Sequence, residues 1–186
     1  MARLLDKYRS EVVPAMRAEF GRQNVLSLPR LDKVVVSMGL GKAIQESGSK
    51  ARENRRFSEA QEHLATVTGQ QPQVTRARKS VSNFKVRAGW DAGLKVTLRG
   101  RRMYEFLDRV IALAIPRVRD FRGLNPGGFD GQGNYNMGLS EVGVFPEIDP
   151  DKVTYQLGMN ITICTTAGDD AEARRLLTLL GMPFRN

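Results

Sequence analysis

The sequence predicts an α+β chain: one domain with a mainly antiparallel sheet, helices packed on one face, and a second, open polar face. Two segments repeat apolar residues at helical spacing, Phe57–Val67 and Met103–Ile115. Lys33–Met38, Leu94–Arg99 and Leu157–Thr166 instead alternate apolar and polar residues, as half-buried strands do. No internal repeat or linker-like stretch interrupts the 186 residues, a length that one core serves.

Taken in order, Leu4, Leu5, Tyr8, Val12, Met16 and Phe20 fall at near-helical spacing, and Pro14 predicts a kink or a pair of short helices. Arg30–Met38 is β-rich and runs into Gly39-Leu40-Gly41. Gln45–Arg56 is polar and poor in apolar residues, so it reads mostly as loop. Phe57, Ala60, Leu64 and Val67 mark one side of a helix that ends at Gly69. Three short β-runs follow, at about Gln73–Ala77, Phe84–Ala88 and Gly93–Arg99, with Arg78–Asn83 as a polar hairpin tip between the first two. Met103, Phe106, Leu107, Val110, Ile111, Ala114 and Ile115 form an amphipathic helix stopped at Pro116. Gly123–Gly138 is glycine-rich and predicts a long loop. Gln156–Thr166 is the longest strand candidate, and Asp169 or Asp170 caps a last helix that buries Leu176, Leu177 and Leu180.

Composition narrows the function. The net charge of +9 and pI near 10.1 point to a polyanionic partner. Between Leu64 and Tyr104 lie nine Lys and Arg residues and one acid, Asp91, so this segment alone carries +8. Beyond Gly123 the balance reverses, with four basic residues against eight acidic ones. A uniformly solvated surface would mix the signs; this one concentrates them. No stretch is long and apolar enough for a membrane span, and residues 1–20 lack the apolar core of a signal peptide. The positive charge sits on strands rather than on a basic amphipathic helix, so no membrane partner is expected. A single cysteine, Cys164, excludes an internal disulfide and fits a reducing, cytoplasmic setting.

Strand parity locates the charge. Val34, Val36 and Met38 oppose Lys33, Val35 and Ser37; Leu94, Val96 and Leu98 oppose Lys95, Thr97 and Arg99. Phe84 and Val86 oppose Lys85 and Arg87, and Leu157, Met159, Ile161 and Ile163 oppose Gly158, Asn160, Thr162 and Cys164. One face therefore goes to the core, and the other presents Lys, Arg, Thr, Ser and Asn. A water-facing sheet alone needs only polar residues, but the positive charge on these same strands favours RNA. With few aromatics, such a face grips backbone, 2′-hydroxyls and helical shape.

No catalytic constellation, metal site or cofactor motif emerges, so the chain reads as a binding protein and not an enzyme. Gly39-Leu40-Gly41-Lys42 carries part of a phosphate-loop pattern, but Val36 and Ala43 stand where a Gly and a Ser or Thr belong. Its glycines allow backbone approach to a phosphate or, equally, a tight turn. His63 and Cys164 have no partnering cluster; His63 reads as a surface helix residue and Cys164 as a small filler. Trp90 reads as a packed turn residue, with base stacking as the alternative.

Leu64-Ala-Thr-Val-Thr-Gly-Gln-Gln-Pro-Gln-Val-Thr-Arg-Ala-Arg-Lys-Ser80 resembles the signature of the bacterial large-subunit ribosomal protein number five family, which binds 5S rRNA. The likeness runs through Phe84-Lys-Val-Arg87, Lys95-Val-Thr-Leu-Arg-Gly100, Ile115-Pro-Arg-Val-Arg-Asp-Phe-Arg-Gly123, Phe129-Asp-Gly-Gln-Gly-Asn-Tyr135, Phe145-Pro-Glu-Ile-Asp149 and Pro183-Phe-Arg185, nearly the whole chain. The resemblance implies a place in the central protuberance among large-subunit rRNA and proteins. It implies 5S rRNA on the open sheet face, P-site tRNA at the basic hairpin loop, and an intersubunit bridge to small-subunit protein number thirteen. By position the family's 5S contacts fall on Ser37, Gln70, Thr97 and Arg99, beside which parity adds Lys33 and Lys95. The tRNA-facing loop falls on Thr75–Arg87, with Thr75, Arg76, Arg78, Lys79, Ser80, Lys85 and Arg87 as its contact residues. Three departures stand out: Ser37 where the family usually has Asn, Gln73 in place of an aliphatic residue, and a Gln45–Arg56 stretch longer than in typical members.

Overall fold

The computed structural model describes residues 2–185. Five strands form one sheet in the order β2-β3-β1-β5-β4: β1 is Leu31–Gly39, β2 Gln73–Arg76, β3 Asp91–Leu98, β4 Tyr135–Leu139 and β5 Met159–Thr165. The sheet is antiparallel. Gln73 faces Lys95 and Thr75 faces Gly93 across β2 and β3, with a bulge before Arg76. Gly93 packs directly against β1: a Cβ there would lie 2.4 Å from the Met38 carbonyl oxygen, so no side chain fits.

The chain clusters into two compact units, and the division falls within strands. The first comprises residues up to Val35, Thr97–Met137 and Ile161 onward. It holds α1 (Arg3–Lys7) and α2 (Val13–Phe20), joined by a π-helical turn at Tyr8–Val12, together with α5 (Gly100–Arg109) and α6 (Asp170–Leu180). Pro14 sits in the first turn of α2, directly after the π-helical turn. Met16, Phe106, Leu107, Leu176 and Leu177 are fully buried, as are Val34, Leu98, Ile161 and Ile163 from the strands. Asp169 caps α6 by accepting the Glu172 N–H at 2.8 Å.

The second unit, Val36–Val96 and Gly138–Asn160, holds α3 (Gly41–Ser47) and α4 (Arg55–Thr68). Phe57, Ala60, Leu64 and Val67 form the buried stripe of α4, and Gly69 closes it in the left-handed conformation that a side chain disfavours. Val36, Met38, Leu94 and Val96 are buried with them. Helix stripes and one strand face are thus both withdrawn from water, and the opposite strand face stays uncovered.

Four expectations are corrected. Gln45–Arg56 is not mostly loop: it completes α3 and continues as a 3-10 turn over Gly48–Glu53. Buried Ala43, Ile44 and Ala51 anchor it, and Asn54 caps α4 while donating to Glu46 at 2.9 Å. Phe84–Ala88 is not a strand; a single Val81–Val86 bridge is all its pairing, because Lys85 takes a left-handed φ of 51°. The glycine-rich Gly123–Gly138 contains all but the last residue of β4, whose Tyr135, Met137 and Leu139 are buried. The rest of that segment is pinned where Asp170 accepts the N–H groups of Gly131 and Gly133. The longest strand is β1, with nine residues, while β5 has seven because Gln156–Gly158 stays outside it.

Candidate nucleic-acid interface

Along β1, Val34, Val36 and Met38 are buried while Lys33, Val35 and Ser37 reach the uncovered side half-exposed. In β3, Lys95 is exposed and Thr97 half-exposed between buried Leu94, Val96 and Leu98, and Arg99 follows the strand exposed. In the first unit this brings Lys33 and Thr97 onto uncovered strand positions and Arg99 just past the end of β3, along with Asn136 and Thr162, whose hydroxyl donates to Asn136 Oδ1 at 2.7 Å. In the second unit Ser37, Lys95 and Gln73 do the same. The strand that carries Gln73 starts there, aliphatic residue or not. Gln70 is half-buried just past the end of α4, where its carbonyl accepts the Thr68 hydroxyl at 3.2 Å. It belongs to no strand, which is why alternation could not find it.

Electrostatics on the first unit's strands centre on Asp32, which precedes the alternating stretch Lys33–Met38 and is exposed. Its Oδ1 accepts from Arg99 Nη1 at 3.1 Å, and its Oδ2 lies 3.9 Å from Lys33 Nζ. In the second unit Lys95 makes no ion pair among the described residues. The one acid of the basic segment, Asp91, is spent on architecture. It pairs with Arg52 at 2.7 Å and lies 3.4 Å from Arg76 Nε, the latter an ion-pair distance without hydrogen-bond geometry. Arg76 is therefore engaged at the root of the loop rather than at its tip.

The loop between β2 and β3 is tied internally. Ala77 N–H donates to Trp90 O at 2.8 Å, Gly89 N–H to Ala77 O at 2.9 Å, and Val81 and Val86 exchange bonds of 2.9 and 3.2 Å. The Ser80 hydroxyl accepts the Ala88 N–H at 2.9 Å. Residues 78–85 are all exposed. Among the described residues Arg78, Lys79 and Lys85 form no ion pair, whereas Arg87 stands 5.9 Å from the Trp90 ring centre. Trp90 is the packed turn residue: its indole leaves only 3.4 Å for a Cβ at Gly48.

Other reactive groups stay quiet. Burial pushes the Cys164 thiol up, against the pull of nearby Lys33, so it is protonated and unreactive at neutral pH. His63 is not a simple surface residue. It is half-buried on α4 beside Glu59 and Glu62, with Nδ1 enclosed and without a hydrogen-bond partner among the described residues. Among the described residues no group of three His, Cys, Asp or Glu is placed to hold a metal, and no helix is long and apolar enough to cross a membrane. Gly41 opens α3, neither it nor Gly39 has a positive φ, and a Cβ at either would meet open space.

The family model for ribosomal protein L5 matches residues 24–87, and that for the ribosomal L5P family C-terminus matches residues 91–184. The chain belongs to the ribosomal L5 family. Its relatives in that family include the large ribosomal subunit protein uL5 of Rubrobacter xylanophilus, 55% identical over 100% of this chain and 99% of the relative. The uL5 proteins of Alkaliphilus metalliredigens and Thermotoga maritima are 54% and 53% identical, over 99% and 98% of this chain and 99% and 95% of theirs. The two L5 matches meet at residues 88–90, in the stem of the β2–β3 loop.

Proposed function

We propose that this L5-family chain holds 5S rRNA on the uncovered strand face and turns its β2–β3 loop toward P-site tRNA. In the same reading it reaches small-subunit protein number thirteen in an intersubunit bridge. Membership of the family makes it a structural constituent of the large ribosomal subunit, hence an RNA-associated component of the cytoplasmic translation machinery. The finer reading rests on one observation above others: Lys33 and Lys95 stand at uncovered strand positions and Arg99 just past the end of β3, interleaved along the chain with the Ser37 and Thr97 hydroxyls. Cations grip phosphates, and hydroxyls with no other side-chain partner read 2′-hydroxyls and base edges of a shallow RNA minor groove. Gln70 joins them through the family resemblance, and the loop cations Arg78, Lys79, Lys85 and Arg87 supply a second, separate contact, with Thr75, Arg76 and Ser80 at its stem and rim.

The test is binding of the purified chain to 5S rRNA across a salt series. The expected result is an affinity that falls steeply and linearly in log–log form as salt rises. Binding that is absent, or insensitive to salt, removes the proposal.

A further inference from the structure

Phe84 is the largest aromatic side chain the fold leaves in water, 66% exposed at the outermost turn of the β2–β3 loop. Strand alternation in the sequence assigned it to a core face; the structure does the opposite. The turn is built to present it. Lys85 N–H bonds back to Ser82 O at 2.9 Å, Lys85 adopts its left-handed φ, and the Val81–Val86 bridge closes the stem directly below. Val81, 41% exposed, extends the apolar tip. Lys85 adjoins it in the turn, and Arg78 and Lys79 lie on the stretch that leads up to the bridge, all three exposed and without ion pairs among the described residues.

We infer that Phe84 stacks on an unpaired nucleobase of the RNA this loop meets, while the flanking cations hold that nucleotide's phosphates. The inference rests on the reading of the loop as an RNA contact and adds its mode of recognition. An exposed ring alone would suit a protein groove as well. The three cations decide for RNA, because an apolar protein groove would have to desolvate them and a phosphate chain neutralises them. The mode differs from that of the strand face, where no aromatic is uncovered among the described residues and shape and backbone are what can be read. A base available for stacking must be unstacked from its neighbours, so the target is a loop or bulge, not a continuous duplex.

Ribosomes carrying Phe84→Leu, Phe84→Trp or the double change Arg78→Ala and Lys79→Ala separate the possibilities when assayed for binding of deacylated tRNA at the P site over a salt series. Phe84→Leu keeps apolar bulk and removes the ring; it should weaken binding by about ten-fold, within the range measured for single stacked bases, with the salt slope unchanged. Phe84→Trp should bind as tightly as wild type. The double alanine variant should weaken binding and flatten the slope, since two phosphate contacts are lost. If Phe84→Leu binds like wild type while the double variant does not, stacking is wrong and the loop contact stands. If neither variant differs, the loop reading itself fails. If Phe84→Leu instead releases another protein from the subunit, the ring has a protein partner and the inference is overturned. Retained 5S rRNA in each variant subunit verifies that the chain is folded and assembled.

Discussion

Arg99 Nη1 donates to Asp32 Oδ1 at 3.1 Å across the first unit's uncovered strand positions, with 58% and 43% of the two side chains exposed. An ion pair this wet is worth at most about 1 kcal/mol. It therefore orients the guanidinium without locking it, and a phosphate can replace the carboxylate at small cost. Asp32 restrains two cations at once, since Lys33 Nζ is 3.9 Å from its other oxygen.

Asp32→Asn should tighten 5S rRNA binding by a factor of roughly two to five, the most that an exposed pair can withhold. Arg99→Ala should weaken it by about 1–3 kcal/mol, the range for a hydrogen bond to a charged group. Filter binding at fixed salt measures both. Equal affinity of Arg99→Ala and wild type would take Arg99 out of the interface.

Arg78→Ala with Lys79→Ala should leave 5S rRNA affinity of the isolated chain within about two-fold, because both residues lie in the β2–β3 loop past the Ala77–Gly89 backbone bond and outside the strands, and remote phosphate contacts add independently. Parallel loss of 5S affinity in this variant would show that one RNA occupies both surfaces.

Strand parity identified Ser37, Lys95, Thr97 and Arg99 because a half-buried strand writes its two faces into alternate residues, and the amphipathic stripe of α4 was legible for the same reason at helical period. Where local pattern and structure part, tertiary packing decides. Gln45–Arg56 looked like loop since only Ala43, Ile44 and Ala51 anchor it, while Arg56 lies 4.2 Å above the Tyr155 ring, a partner distant in sequence. Within β4, Gly138 hid a strand that is otherwise Tyr135, Met137 and Leu139 in alternation. Phe84 and Val86 alternate as a strand would, yet the left-handed Lys85 turns the chain back and leaves the ring in solvent. Asp32 escaped notice because the strand has not yet settled into its alternation at its first two residues.

Arg22→Ala should destabilise the chain by about 2 kcal/mol. Arg22 bonds both oxygens of Glu172, its Nη2 to Oε1 and its Nη1 to Oε2 at 3.3 Å, and also caps the Ser27 carbonyl at 3.0 Å. Glu172 is 7% exposed, so losing its partner strands a nearly buried carboxylate; a fully buried pair would cost about 3–5 kcal/mol, and the partial exposure of Arg22 lowers that figure. Replacing both, Arg22→Met with Glu172→Leu, should cost less than Arg22→Ala alone, because no charge remains buried. Urea unfolding of the three proteins with unchanged m-values measures this; a double variant less stable than the single one refutes the account.

Folding stability should fall as pH rises from about 10 to about 12, and Tyr104 should be responsible for a distinct part of the loss. Its side chain is 6% exposed and its ring centre lies 6.3 Å from that of Tyr8. Burial first, and then the negative charge of an ionised Tyr8, push its phenol from the ordinary 10.0 up to about 12, with Arg30 and Arg9 pulling weakly the other way. Below pH 10 the proton is held in both folded and unfolded chains, so stability is insensitive to it. Between 10 and 12 the unfolded chain has released the proton and the folded chain keeps it, so each step up in pH favours unfolding. Absorbance at 295 nm should show at least one of the four tyrosines ionising well above the rest, and Tyr104→Phe should remove that step. In the same variant the alkaline decline in denaturation midpoint should become shallower; a decline of unchanged steepness would assign it to other groups.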